Sequence, residues 1–121
     1  MEARGPRAEL GSAGEGAALD WYLARGFRLV ARNWRCPLGE LDLIVRRGSL
    51  VAFVEVKTRA GSGFGGGYEA VGWRKQHKLR QLAEAFVARH GRSGFEYRFD
   101  VASVMSGRSS RHDVHVFEDA F

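Results

Sequence analysis

The stretch GELDLIVRRGSLVAFVEVK, residues 39–57, predicts most of the fold of this chain. Two runs within it, residues 40–45 and 50–57, are rich in branched and aromatic side chains, which is the composition of β-strands. The polar residues 46–49 between them form a tight turn. Because a connection this short joins antiparallel neighbours, the stretch predicts a two-stranded hairpin.

Three charged side chains lie inside these apolar runs, namely Asp42, Glu55 and Lys57. Such residues are depleted in strands, and an isolated buried charge is costly, so each of them needs a physical reason. Side chains alternate along a strand, which puts Glu55 and Lys57 on one face, about 7 Å apart. Hairpin pairing can bring Asp42 opposite this region, although the sequence does not fix the register.

Two interpretations of these charges are open on the residues alone. Two carboxylates held close together repel, and a divalent cation such as Mg²⁺, which takes oxygen ligands, relieves that repulsion. Alternatively, the acids pair with Lys57 across a half-exposed hairpin, which stabilises a sheet by about 0.2–1 kcal/mol and needs no metal. Because Asp42 adds a second acid on the preceding strand of the hairpin, the residues alone favour the metal site and the surface ion pairs about equally.

Upstream of the hairpin, residues 14–25 carry apolar side chains at helical spacing, and Gly26 follows where a helix would end. Glu15 lies in the first turn of this helix, where a carboxylate also favours the helix dipole. Residues 27–31 predict a short strand, and residues 33–39, with Pro and Gly, predict a turn.

Downstream of the hairpin, residues 60–67 contain five glycines and predict a flexible surface loop without a phosphate-binding motif. Residues 71–90 predict the strongest helix, with one apolar stripe at spacings of three and four. Residues 95–105 predict a further strand, and residues 113–117 predict a final one. The sequence therefore predicts an α/β fold in the order helix, three strands, helix, and one or two strands.

Length and composition suit one small basic domain. A chain of 121 residues supports one core, so we expect a flexible lead-in over residues 1–13 and a single domain over residues 14–121. Its net charge of +5 makes a polyanionic partner such as nucleic acid plausible. With one cysteine, no signal peptide and no long apolar run, we expect a cytoplasmic protein without membrane contact.

Longer stretches of the chain resemble a known protein family. Asp42 followed by Glu55-Val56-Lys57 matches the signature of the PD-(D/E)xK nuclease superfamily. The more specific segments are Gly14-Glu15, Arg32-Asn33, Gly39-Glu40-Leu41-Asp42-Leu43-Ile44, Val54-Glu55-Val56-Lys57, Glu69-Ala70-Val71, Lys75-Gln76 and Arg98-Phe99-Asp100-Val101. Together they resemble the YraN family of bacterial proteins over residues 14–105. The resemblance implies a restriction-endonuclease-like core, a mixed sheet of four to five strands flanked by helices, similar to archaeal Holliday-junction resolvases.

The resemblance also implies a role for each site residue. Asp42 and Glu55 would ligate Mg²⁺ or Mn²⁺, with the Val56 carbonyl as a further ligand. Lys57 would position the attacking water or help to deprotonate it, and would stabilise charge on the phosphate. Glu15 would match the first acidic position of the superfamily, and Gln76 its additional polar position.

We expect basic residues around this face to contact the phosphate backbone of DNA, although a solvated surface charge is an equal alternative for each of them. The candidates are Arg32, Arg35, Arg59, Arg74, Lys75 and Lys78. We interpret Trp34 and Trp73 as core or interface residues rather than as residues that stack on bases. A homodimer is implied only by analogy with the resolvases, which must cut two strands.

Three functional hypotheses remain open on the sequence. The first is a metal-dependent endonuclease that hydrolyses phosphodiester bonds in DNA, including branched or damaged DNA. The second is a nucleic-acid-binding module that keeps the fold without catalysis. The third is an interaction protein with a merely basic surface. The complete acidic set and Lys57 favour the first hypothesis.

Overall fold

The computed structural model of the chain describes residues 6–60, 71–107 and 112–121. Two helices and five strands occur in these ranges, and their bounds are α1 Pro6–Leu23, β1 Arg28–Cys36, β2 Gly39–Arg47, β3 Leu50–Ala60, α2 Trp73–His90, β4 Glu96–Ser106 and β5 His112–Phe117. Neither described helix is long and apolar enough to cross a membrane. The glycine-rich loop predicted at residues 60–67 lies almost entirely outside the described residues.

The five strands form one mixed sheet in the order β1-β2-β3-β4-β5. The β1–β2, β2–β3 and β4–β5 pairs are antiparallel, and only β3 and β4 run parallel among these neighbours. A parallel pair needs a crossover, and α2 lies in the connection between β3 and β4. The predicted α/β class, the β2–β3 hairpin and the mixed five-stranded sheet are thereby confirmed, and the architecture agrees with a restriction-endonuclease-like core.

Two element boundaries differ from the sequence prediction. Helix α1 begins at Pro6, so residues 6–13 of the expected flexible lead-in are helical. Strand β1 continues to Cys36, and only residues 37 and 38 form the turn that we predicted over residues 33–39. Pairing of residues 34–36 with residues 39–41 extends the strand, because cross-strand contacts outweigh the local turn preference of Asn33.

Apolar side chains cover both faces of the sheet, which explains the nearly continuous apolar runs of β2 and β3. On β3, Val51 and Phe53 belong to the cluster under α2, whereas Ala52 and Val54 belong to the cluster under α1. The α2 helix contributes the predicted stripe, of which Leu79, Leu82, Ala83 and Phe86 are buried. Helix α1 contributes Ala18 and Tyr22, both fully buried.

The alternation of side chains is interrupted at Asp42. Leu41 packs in the cluster under α2 and Leu43 in the cluster under α1, although residues two apart in a regular strand share a face. On the neighbouring strand, Asn33 has a φ of 55°, a left-handed conformation that Asn tolerates better than most residues. Pairs Arg32↔Leu43 and Trp34↔Leu41 flank Asn33 and Asp42, so the irregularity lies at the position of Asp42 in the sheet.

Helix α1 approaches β3 closely at Gly14. A Cβ atom added there would lie 1.9 Å from the Thr58 hydroxyl oxygen, so only glycine permits this distance between helix and strand. The approach brings the next residue, Glu15, to the end of the sheet where Asp42 lies.

Candidate metal centre

The Asp42 carboxyl group links β2 to β3 at the point where their pairing ends. Its Oδ2 atom accepts a hydrogen bond from the Val56 backbone N–H at 2.9 Å. The described register of the two strands ends at Leu43↔Val54, immediately before this contact. The hydrogen bond fixes Asp42 next to the segment that carries Glu55 and Lys57.

Glu55 lies on the α2 side of β3, and its side chain is only 13 % exposed. Its Oε1 atom is 3.6 Å from the Lys75 ammonium, in the first turn of α2. Lys57 follows two residues later on the same strand, and its charge lowers the pKa of Glu55. The predicted acid and amine therefore lie close enough to influence each other, and Lys75 adds a second cation.

The carboxyl groups of this site are hard to ionise. Burial, together with the charges of Glu55 and Glu15, raises the pKa of Asp42 to about 7, against the opposing effects of the Val56 N–H and Lys75. Burial also raises the pKa of Glu55, although Lys75 and Lys57 act in the opposite direction. The positive charges around the site are thus too few to offset its negative charge and its burial.

Three carboxylates converge on one point. One oxygen from each of Glu15, Glu40 and Asp42 lies within 4.8 Å of the other two. We did not predict Glu40 as a site residue. The signal was present, because Glu40 precedes Asp42 by two residues on the same strand and strand alternation favours a shared side for such pairs.

These acids already have basic neighbours. Arg32 lies 3.4 Å from Glu15, and its guanidinium also donates to the Ser12 carbonyl oxygen at 2.5 Å. Arg35 donates to Glu40 at 2.8 Å on the exposed side of the β1–β2 hairpin. The ion pairs with Arg32 and Arg35 therefore offset only part of the negative charge of the acidic cluster.

The donor set fits a hard divalent cation. All of the side chains that converge here offer carboxylate oxygens, the ligands that Mg²⁺ and Mn²⁺ take in proteins. Asp42 is common to the predicted pair with Glu55 and to the cluster with Glu15 and Glu40. Val56 contributes its N–H to Asp42, which leaves its carbonyl role as a prediction.

Gln76 holds the start of α2. Its side-chain amide donates to the Val71 carbonyl at 2.8 Å, and its backbone N–H donates to Gly72. This contact positions the helix turn that carries Lys75. The catalytic role expected for Gln76 from the resemblance stays a prediction.

The six predicted phosphate-binding residues divide into two groups. Arg32, Arg35 and Lys75 form ion pairs with acids of the site. The other three are exposed, and they are Arg59, Arg74 and Lys78. Arg59 lies two residues after Lys57 on β3, and Arg74 and Lys78 lie on α2, the helix that also carries Lys75.

The two tryptophans near the site have different environments. Trp34 packs edge-on against Phe86, which agrees with a core position. Trp73 is 73 % exposed and lies under the guanidinium of Arg74, so it does not belong to the core, and its place in a subunit interface stays a prediction. Trp73 begins α2, where the helix surface faces solvent before the apolar stripe reaches the sheet.

The fold and the site together define a class of protein: a small α/β protein with a restriction-endonuclease-like core and a carboxylate cluster at one end of its central strands. Within that class, the chain belongs to the uncharacterised protein family UPF0102, whose family model matches residues 14–104. The resemblance drawn from the sequence is thereby confirmed.

Relatives from different bacteria support this assignment. A UPF0102 protein of Alkaliphilus metalliredigens is 40 % identical over 112 residues, covering 93 % of this chain and 96 % of the relative. One from Beutenbergia cavernae is 46 % identical over 100 residues, covering 83 % and 85 %. One from Mycolicibacterium smegmatis is 47 % identical over 105 residues, covering 85 % of each chain.

Proposed function

We infer that this protein is a metal-dependent endonuclease that hydrolyses phosphodiester bonds in DNA, with branched or damaged DNA as the substrate class. One observation carries this proposal. The Asp42 carboxyl is tied to the Val56 N–H beside Glu55, and burial together with neighbouring acids raises the pKa of Asp42 to about 7. Ionising several buried carboxyl groups close together costs free energy, and a divalent cation bound between them offsets that cost.

In this proposal Asp42 and Glu55 hold Mg²⁺ or Mn²⁺, with the Val56 carbonyl as a further ligand and Glu15 beside Asp42. When bound, the cation polarises the phosphodiester and makes a nearby water more acidic. Lys57 orients the attacking water and stabilises the negative charge that develops on the phosphate. The water oxygen loses a proton and forms the new bond to phosphorus, the bond to the 3′ oxygen breaks, and the 3′ oxygen takes up a proton to leave as a hydroxyl.

Exposed cations next to the site support a DNA substrate. Arg59, Arg74 and Lys78 are exposed on the strand and helix that carry Lys57 and Lys75, where the phosphate backbone of a nucleic acid would displace counterions. Trp73 adds an exposed aromatic ring in the same region, and such rings stack on unpaired bases. The cations favour a nucleic acid in general, and the exposed ring favours DNA with unpaired or distorted segments.

A second candidate function is a nucleic-acid-binding module without catalysis. The ion pairs Lys75–Glu55, Arg32–Glu15 and Arg35–Glu40 favour this alternative, because they compensate part of the acidic charge without a metal. Cleavage assays separate the two candidates.

The test is cleavage of a panel of linear, flapped and four-way DNA in the presence of Mg²⁺ or Mn²⁺. We expect cleavage of at least one substrate, and a loss of at least about 100-fold for Lys57→Ala, because removal of one charge-stabilising donor has an effect of this size. Glu84→Gln, which changes an exposed acid on α2, is the matched control and should cleave like the parent protein.

Metal binding gives an independent measurement. Calorimetric titration with Mn²⁺ should show binding to the parent protein and much weaker binding to Asp42→Asn. Equal Mn²⁺ affinity of the two proteins would contradict the metal site. If no DNA is cut while DNA binding is tight, the second candidate function replaces the first.

A further inference from the structure

A cavity whose lining includes none of the acids of the metal site lies near the β2–β3 turn. Its volume is about 590 Å³, within the range of small-molecule sites. Val51 of β3 lines it, whereas Glu55 is four residues further along the same strand, about 13 Å away. The cavity therefore does not belong to the candidate metal centre.

Aromatic rings line this cavity in two pairs. Trp34 of β1 and Phe86 of α2 pack edge-on with their ring centres 5.4 Å apart. Phe95 and Tyr97 of the β4 region pack edge-on at 6.3 Å. The buried Phe53 ring of β3 lies between the two pairs, 5.8 Å from the ring centre of Phe86 and 5.8 Å from that of Tyr97. The rings therefore form a connected aromatic surface against which a flat ring can pack.

Positive charge surrounds the same cavity. Arg46, Arg89, Arg92 and His90 line it, and its lining contains no carboxylate. Within the described residues, none of the ion pairs includes these arginines. Arg89 and His90 also lie in the last turn of α2, where cations stabilise the helix dipole. Arg46 and Arg92 lie outside the helix, so the dipole does not account for them.

Arg46 is held in a defined position. Its Nε donates to the Gly48 carbonyl at 2.7 Å, and its guanidinium carbon lies 4.5 Å from the centre of the Phe95 ring. These two contacts leave the terminal nitrogens of the guanidinium for an anion. An arginine fixed against an aromatic ring is a good binding group for phosphate.

A buried hydroxyl supports the presence of a ligand. The Tyr97 hydroxyl oxygen is inaccessible and has no hydrogen-bond partner among the residues that the structure describes. Buried polar groups nearly always have a partner, because leaving one unpaired destabilises the fold. Gly91 lines the same cavity, and a Cβ added there would come within 3.2 Å of this hydroxyl and 2.5 Å of the Val87 carbonyl oxygen.

We propose that this cavity is a nucleotide-binding site in which a nucleobase packs against the aromatic rings, the Tyr97 hydroxyl bonds to the base or sugar, and Arg46 and Arg92 bind the phosphate. Aromatic rings alone would suit any apolar ring, and arginines alone would suit any anion. Their combination selects a ring that carries a phosphate. A free nucleotide and an unpaired nucleotide of a strand both have this chemistry.

The experiment is calorimetric titration of the full chain in the presence of EDTA, so that no metal-dependent hydrolysis occurs. The titrants are deoxyadenosine monophosphate, deoxyadenosine, inorganic phosphate and a single-stranded deoxyadenosine oligonucleotide. We expect the monophosphate to bind at least about tenfold more tightly than deoxyadenosine or phosphate, since each binds one half of the site only.

Variants identify the cavity as the binding site. Arg46→Gln and Arg92→Gln should each weaken nucleotide binding about tenfold, a typical effect for a charge-assisted hydrogen bond. Arg47→Gln is the matched control, because this substitution removes the same charge at the next position. Arg47 itself lies over Phe27 on the α1 side of the sheet, away from the cavity. Tyr97→Phe should weaken binding without lowering the melting temperature.

The outcomes separate the two sources and the failure of the proposal. If Arg46→Gln loses oligonucleotide binding, the site is supported with an unpaired nucleotide of a strand as its ligand. If Arg46→Gln loses monophosphate binding but keeps oligonucleotide binding, the site is supported with a free nucleotide as its ligand. The proposal is overturned if neither the monophosphate nor the oligonucleotide binds, if phosphate alone binds equally well, or if Arg47→Gln has the same effect as Arg46→Gln. Because metal is absent, none of these outcomes depends on the proposed nuclease activity.

Discussion

Asp42 shows how much of the candidate site depends on single residues. Its carboxyl accepts the Val56 N–H, lies near Glu15 and Glu40, and interacts electrostatically with Glu55. A single hydrogen bond cannot offset burial and two neighbouring acids, and the pKa of Asp42 therefore stays well above its usual value of 3.8.

This raised pKa predicts a pH-dependent stability in the absence of metal. The folded protein holds a proton on Asp42 up to a pKa of about 7, whereas the unfolded chain releases it near 3.8. Stability should therefore fall as the pH rises from about 4 to about 7 and then level off, by at most about 1.4 kcal/mol per pH unit. Urea denaturation in EDTA at several pH values measures this.

Asp42→Asn isolates the contribution of this one carboxyl. Its side-chain carbonyl can still accept the Val56 N–H but does not titrate. We expect Asp42→Asn to lose less stability than the parent protein between pH 4 and pH 7. Parallel stability curves for the two proteins would contradict the raised pKa.

At the scale of elements, the distance between α1 and β3 decides whether Glu15 reaches the site. Gly14 has no side chain, and the Thr58 side chain occupies the space that a Cβ would need. Gly11 lies one turn earlier on the same helix, and a Cβ there would meet nothing within 4 Å. A side chain at Gly14 would therefore displace α1 from β3, whereas a side chain at Gly11 would find open space.

Alanine substitutions at these glycines should have opposite effects. Gly14→Ala should lower the free energy of unfolding by about 1–3 kcal/mol, because the added methyl group overpacks the helix against Thr58. Gly11→Ala should leave it unchanged or raise it by up to about 1 kcal/mol, since alanine favours a helix. Urea denaturation followed by circular dichroism measures both variants.

Equal stability of the two alanine variants would contradict the close contact between α1 and β3. Because Glu15 follows Gly14 directly, the same displacement should also weaken Mn²⁺ binding if Glu15 belongs to the metal site. The Gly11→Ala protein provides the reference for that titration.

At the scale of the whole molecule, a buried carboxylate joins three parts of the chain. Asp100 is fully buried on β4 and accepts the Tyr22 hydroxyl of α1 at 2.6 Å. It also accepts two hydrogen bonds from Arg98, at 2.9 and 3.1 Å, and one from the Asp119 N–H at 2.9 Å. This network fixes α1 and the C-terminal turn to the central sheet.

Removing this carboxylate should destabilise the whole fold. Asp100→Ala should lower the free energy of unfolding by about 3–5 kcal/mol, because it leaves Arg98 without its buried partner. Tyr22→Phe should lower it by about 1.5–3 kcal/mol, the range for a hydrogen bond to a charged group. The double variant should lose less than the sum, since Tyr22 contributes through Asp100.

Tyr97→Phe is the matched control for Tyr22→Phe. Both changes remove one buried hydroxyl, but in the described part of the chain the Tyr97 hydroxyl has no partner. We expect a change within about 0.5 kcal/mol for Tyr97→Phe. Strict additivity of Asp100→Ala and Tyr22→Phe would contradict a coupled network.

The sequence by itself determined the α/β class, the order of the elements and the β2–β3 hairpin. These features depend on local patterns: a short polar turn, alternating or continuous apolar runs, and a stripe at helical spacing. The placement of Glu55 and Lys57 on one strand follows from the same periodicity. Glu40 could have been included by that rule, because it precedes Asp42 by two residues.

Only the tertiary structure decided which groups meet. The left-handed Asn33, the extension of β1, the close approach of α1 at Gly14 and the pairing of Lys75 with Glu55 depend on contacts between residues far apart in the chain. The aromatic and basic cavity is likewise assembled from β1, β4 and the end of α2. Local patterns specify elements, but the free energy of packing specifies their distances, and the chemistry of a site depends on those distances.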